Sequence, residues 1–190
     1  MTHIVLASAS PRRRELLARI GIDPEILPSS VEEKITGKAP AQIVCSLAEQ
    51  KCRDVASRQN RDAIVIGADT IVTLDGEILG KPSDEEDAVR MLRELQGRTH
   101  EVYTGVTLIR TEAGKTVCEE TFAEKTDVCV SSMTEEEIRS YVQSGEPMDK
   151  AGAYGIQGLF AKYRSGISGD YFNVVGLPLC RLWSVLKKMI

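Results

Sequence analysis

The chain predicts an α/β fold, a mixed twisted sheet with helices on both of its faces, and three observations lead there. Short apolar runs that read as strands alternate with stretches of helical periodicity. The first of these runs, His3 to Ala7, passes directly into a capped helix, a strand–turn–helix unit. Thr99–Arg110 and Lys115–Val130 alternate with a period of two around Glu112-Ala113-Gly114, which adds an antiparallel pair.

Taken in order, Ser10 stands at the N-cap of the first helix with its hydroxyl available to a first-turn amide, and Pro11 follows where a missing N–H costs nothing. Leu16, Leu17 and Ile20 form the apolar stripe, and Gly21 closes the helix in a left-handed conformation. A loop with Ser29-Ser30-Val31-Glu32-Glu33 leads to Ala39-Pro40, after which Ile43, Val44, Leu47, Ala48 and Val55 keep helical spacing to about Gln59. Ala63–Ile66 is a strand that Gly67–Thr70 is expected to interrupt; Ile71–Leu74 resumes it and Asp75-Gly76 turns it.

Pro82 and Ser83 start the next helix, with Ser83 and Glu86 as a capping box and Gly97 as its stop. Thr134 and Glu137 form a second box, opening a helix that ends at Gly145 before Pro147. A glycine-rich segment from Ala151 to Gly169 precedes "NVVGLPL", and an amphipathic helix runs from about Leu179 to Met189.

With 190 residues, 42% of them hydrophobic, the chain can bury a full core without staples. Its formal net charge of −4 argues against a general nucleic-acid or anionic-membrane surface, which needs a dominant basic face. The five cysteines are widely spaced, lack a C-x-x-C pair and have two histidines beside them, so reduced thiols in a cytoplasmic protein are expected. Neither a secretory leader pattern nor an apolar run of membrane length is read.

Several stretches carry chemistry. Arg12, Arg13 and Arg14 crowd the first turn of a helix whose dipole already favours an anion, an arrangement that either a bound anion relieves or a solvated arginine cluster merely tolerates. Asp69 breaks an apolar run and is expected at a strand end, where it would take a proton, bind a divalent metal or merely cap a turn. Lys81 lies between a strand and a helix, within reach of phosphate as a point charge, and Lys51 is either a phosphate contact or a solvated mid-helix position. In "GEPMDKAGAYGIQG" the glycines permit close backbone approach, and the Gln157 amide offers one donor and one acceptor to a base edge. Asp149 with Lys150 reads equally as a structural pair, and Tyr154 as core. No Rossmann fingerprint or P-loop is present.

The order "SASPRR", "GADT", "GKP", "GRTHEVYTGV", "GEPMDKAGAYGIQG" and "NVVGLPL" resembles the Maf family of nucleoside triphosphate pyrophosphatases over essentially all of residues 1–190. The resemblance implies one Maf-like domain whose two lobes flank a central cleft, similar to the inosine-triphosphate pyrophosphatase type, and a homodimer. It implies hydrolysis of a nucleoside triphosphate to monophosphate and pyrophosphate with a divalent cation, Mg2+ or Mn2+. That activity is associated with housecleaning of the nucleotide pool and with cell-division arrest. A nucleotide-sensing protein of septum formation with little turnover is the alternative.

Carried over onto this chain, the resemblance makes Asp69 the proton acceptor and puts substrate specificity on Arg12, Thr70 and Gln157, in the combination of the branch acting on dTTP and UTP. Ser8, Ser10, Arg12, Arg13, Lys51 and Lys81 match phosphate-binding positions, and Glu33 with Asp69 the metal site. One stretch departs from the family pattern: "GLFAKYRSGIS" is more polar than the strand expected there, notably at Lys162 and Arg164.

Overall fold

The computed structural model describes residues 3–190. Its elements are β1 (His3–Leu6), α1 (Pro11–Arg19), β2 (Glu25–Ile26), α2 (Pro40–Ala56), β3 (Ala63–Leu74), β4 (Glu77–Leu79), α3 (Glu85–Leu95), β5 (Thr99–Glu112), β6 (Lys115–Val130), α4 (Glu135–Gln143), β7 (Arg164–Ser168), α5 (Tyr171–Val175) and α6 (Leu179–Leu186). Three short 3-10 turns, Glu146–Asp149, Ala151–Ala153 and Leu159–Tyr163, fill the glycine-rich segment between α4 and β7.

Hydrogen bonding orders the strands β2-β1-β3-β5-β6-β7, with β4 paired to β3. The sheet is mixed, as expected: β1 runs parallel to β2 and β3, whereas β3–β4 and β6–β7 are antiparallel. Both hairpins turn on two consecutive residues of positive φ, Asp75-Gly76 and Ala113-Gly114, which is the backbone a two-residue turn of this twist requires. Among the described residues no helix is long and apolar enough to cross a membrane.

Contacts divide the chain into two compact units, residues 1–69, 104–124 and 176–190 in one and residues 70–103 and 125–175 in the other. In the first, Val5, Ala7, Cys52, Val55, Ala56, Ala63, Val65 and Ile109 pack into one buried cluster. Helix α2 lies directly on the strand backbones there. A Cβ at Gly67 would meet Ala48 O at 2.6 Å and Cys52 Cβ at 2.7 Å, and one at Gly105 would strike the Val44 carbonyl. In the second unit α3 and α4 pack together. Beside them Phe160, fully buried, touches Tyr141, Tyr154 and Tyr163 with ring centroids 4.6–5.7 Å apart.

Four local expectations are corrected. Ser10 is the N-cap of α1 by position, yet its side chain makes no capping bond. The cap of α3 is Asp84, whose carboxylate accepts from Asp87 N–H at 2.8 Å, one residue beyond Ser83; Asp87 reaches back to Ser83 N–H at 3.0 Å. "GADT" does not interrupt a strand, because β3 runs unbroken through it, and Asp69 therefore stands within the strand. The terminal helix stops at Leu186, sooner than its apolar pattern suggests. The polar stretch after Gln157 also has an explanation: it is a 3-10 turn followed by β7, an edge strand paired to β6 alone, where Lys162 and Arg164 are exposed.

Candidate functional site

The strand–turn–helix unit at the start of the chain sets out the first group. Ala7 N–H donates to Ile66 O at 2.8 Å, which extends the parallel pairing to the mouth of the turn. The Ser8 hydroxyl then accepts from Ser10 N–H at 3.3 Å and from Arg13 Nη1 at 3.1 Å. Arg13 also donates through Nε to Gly176 O at 2.9 Å, so its fork is held from both sides. Burial holds this guanidinium below its ordinary pKa and Arg12 adds to that, whereas the carboxylates of Asp69 and Glu33 act in the opposite sense. Arg12 is half-buried in the same turn. Arg14 faces away, its exposed side chain 3.9 Å from Asp23.

Lys51 gathers the second group. Its ammonium donates to Asp69 Oδ1 at 2.5 Å and lies 3.1 Å from Glu33 Oε1. The side chains of Lys51 and Asp69 are each only 15% exposed. Gly67 is the reason that Lys51 reaches Asp69: without a Cβ at that position α2 settles on β3, and the helix residue and the strand residue come within hydrogen-bond distance. The solvated mid-helix reading of Lys51 is thereby overturned.

Sequence reasoning missed Gln50 and Asp54, which fix the loop that carries Glu33. Gln50 accepts from Lys34 N–H at 2.9 Å and donates to Lys34 O at 2.8 Å; Asp54 accepts from the Ser29 hydroxyl at 2.7 Å and from Ser30 N–H at 3.0 Å. Their spacing of four, one turn apart on α2, was the available signal. Loop backbone groups need partners, and these side chains supply them.

The second unit carries the other expected residues. Thr70 follows Asp69 along β3 and is half-buried. Lys81 is exposed between β4 and α3, and Gln157 is exposed in the turn between Gly155 and Gly158, closed by Gly158 N–H donating to Gly155 O at 3.1 Å. Gly152 N–H donates to Gly80 O at 3.0 Å, which ties the glycine-rich segment to the stretch bearing Lys81. Asp149 and Lys150 form the structural pair at 2.5 Å, and Tyr154 is core. The structure thus gathers Ser8, Arg13, Glu33, Lys51 and Asp69 in one unit, and Thr70, Lys81 and Gln157 in the other.

Chemically, the residues gathered in the first unit comprise two cations, Arg13 and Lys51, and two carboxylates, Glu33 and Asp69, held by backbone or neighbouring side chains. Such a set can bind phosphate oxygens and present a carboxylate to water or to a hard cation.

A family model described as Maf-like protein matches residues 3–189. A dTTP/UTP pyrophosphatase of Agathobacter rectalis is 51% identical over 201 aligned residues, covering 100% of this chain and 98% of that protein. One from Bacillus cereus (strain G9842) is 54% identical over 189, covering 99% of this chain and 96% of its own length. Among solved structures, a HAM1 protein from Coxiella burnetii aligns over 99% of this chain and 100% of its own with a TM-score of 0.56 at 15% identity, a likeness that shows the fold alone.

Proposed function

The chain belongs to the Maf family, and on that premise we propose that it is a nucleoside triphosphate pyrophosphatase which hydrolyses dTTP and UTP to the monophosphate and pyrophosphate. The observation that carries the reading is the Asp69 carboxylate within β3, hydrogen-bonded to Lys51 at 2.5 Å and close enough to the half-buried Arg13 to act on its charge. Relatives about half identical to this chain over nearly its whole length carry that substrate pair in their name.

In this reading Arg12 and Arg13, at the start of α1, take the phosphate oxygens, joined by Ser8, Ser10, Lys51 and Lys81; the substrate supplies the negative charge that the helix dipole and the arginines together call for. Asp69 accepts a proton from the attacking water. The water oxygen bonds to a phosphorus of the α–β anhydride, the bridging P–O bond breaks, and pyrophosphate leaves with that electron pair. Thr70 and Gln157, with Arg12, confine the reaction to thymine and uracil.

A divalent cation, Mg2+ or Mn2+, is part of the proposal. The Glu33 and Asp69 carboxylates, which both contact the Lys51 ammonium, would be its protein ligands. Such an ion binds through one or two carboxylates and completes its shell from phosphates. Once bound it supplies charge neutralisation at the anhydride. A homodimer, a cytoplasmic setting and a place in nucleotide-pool housecleaning complete the proposal.

The experiment is pyrophosphate release from dTTP, UTP, CTP, GTP and 7-methyl-GTP, each with and without Mg2+ or Mn2+. Turnover confined to dTTP and UTP and abolished by chelation is expected. Folded protein that turns over none of them overturns the enzyme reading in favour of a nucleotide sensor.

A further inference from the structure

The turn that carries Gln157 is fastened by a single carboxylate. Glu146 Oε2 accepts from Leu159 N–H at 2.9 Å on one side of the turn. On the other side, Glu146 Oε1 accepts from the Tyr141 hydroxyl at 2.8 Å, and that hydroxyl oxygen accepts from Gly155 N–H at 3.0 Å. Both flanks of the segment from 155 to 159 therefore hang on Glu146, one directly and one through a buried tyrosine.

The packing around it is correspondingly tight. A Cβ at Gly155 would come within 3.0 Å of Glu146 Oε1 and 2.9 Å of Lys150 Cε, and one at Gly158 would run into the Glu146 carboxylate. Glu146 is itself anchored, since its carbonyl accepts from Lys150 Nζ at 2.6 Å and it follows the left-handed Gly145 that ends α4.

Resting on the function proposed above, we infer that Glu146 is the positioning residue for base discrimination: by clamping the 155–159 turn it fixes the stretch of backbone from which the Gln157 side chain projects. A glutamine amide has a donor on one side and an acceptor on the other, and it reads a base edge only where its backbone holds it within reach. Uracil and thymine present an acceptor at O4 and a donor at N3, whereas cytosine presents the reverse. An amide carried at the base edge contributes its donor and acceptor to the choice between these rings; one displaced along with its turn no longer meets that edge, and the discrimination it contributes is lost.

The test compares kcat and KM for dTTP, UTP and CTP in the wild type, Glu146→Gln, Gly158→Ala and Gln157→Ala, and in Glu146→Gln combined with Gln157→Ala. Glu146→Gln keeps the size of the side chain but puts an N–H2 where a donor now arrives. Gly158→Ala disturbs the same contact from the other side and serves if the first variant fails to fold. The expected result is a loss of about tenfold in the dTTP-over-CTP ratio of kcat/KM, mostly through KM, with no further loss when Gln157 is already alanine. Variants that keep the wild-type ratio, or that slow all three nucleotides equally and additively with Gln157→Ala, overturn the inference alone. A wild type that does not discriminate dTTP from CTP overturns the base-reading role of Gln157, and the inference with it.

Discussion

Lowering the pH toward 5 is expected to remove a large part of this protein's stability through one histidine. His100, on β5, is 1% exposed; its Nε2 pairs with the Tyr154 hydroxyl at 2.8 Å, and its Nδ1 is buried without a hydrogen-bond partner. A proton added to the ring would create a buried cation with a donor that has nothing to meet. Burial accordingly pulls the pKa of His100 down from 6.5 to about 4, against a small opposing effect of Asp127.

The sign follows from which state binds the proton. Between pH 6.5 and about 4 the unfolded chain is protonated at His100 and the folded chain is not, so stability falls as pH falls through that window and is fully present above it. The complete shift corresponds to about 3 kcal/mol, of which about 2 kcal/mol is lost between about pH 7 and about pH 5. Urea unfolding at both pH values, for the wild type and for His100→Gln, isolates this share, because glutamine can still meet Tyr154 and does not titrate. The wild type should lose about 2 kcal/mol more than the variant. Equal losses in the two proteins would refute the reasoning.

Two further outcomes are expected. On the proposed mechanism Asp69→Asn removes the proton acceptor while keeping its shape, so turnover of dTTP should fall by about a hundredfold to ten-thousandfold while equilibrium dialysis still detects nucleotide binding; full retention of turnover would take Asp69 out of the chemistry. Gly67→Ala inserts a methyl group against Ala48 O and Cys52 at contact distances only backbone movement can relieve, and should cost about 1–3 kcal/mol in urea unfolding while moving Lys51 off Asp69; a variant of native stability and kcat would show that α2 has room to spare.

What could be read from the sequence was local chemistry. The Thr134–Glu137 box forms as expected, with Glu137 N–H on the Thr134 hydroxyl at 3.2 Å and Thr134 N–H on Glu137 at 2.8 Å. The two positive-φ hairpin turns and Gly21, whose N–H donates to Ala18 O at 3.0 Å, were equally plain. Each rests on residues a few positions apart.

The errors have tertiary causes. Small residues in "GADT" looked like a breaker, but Gly67 is small because a helix lies against it, and the strand continues. Ser83 and Asp84 are adjacent capping residues, and only the three-dimensional helix start decides between them. The two-residue strand β2 is set by pairing with β1, which no periodicity announces. For the site, the residue types were legible, whereas the meeting of Lys51 with Asp69, 18 positions away, and of Arg13 with Gly176, 163 positions away, depends on the finished fold.

The last of these contacts bears on how the protein comes to life. With Arg13 near one end of the chain and its carbonyl acceptor 163 residues downstream, the guanidinium fork cannot be locked while the polypeptide is still leaving the ribosome. At ordinary translation rates of about 5–20 residues per second, many seconds separate the emergence of the two partners. The β1–α1 unit must wait through that interval without this contact, and the Arg13 guanidinium gains it only after Gly176 has been made.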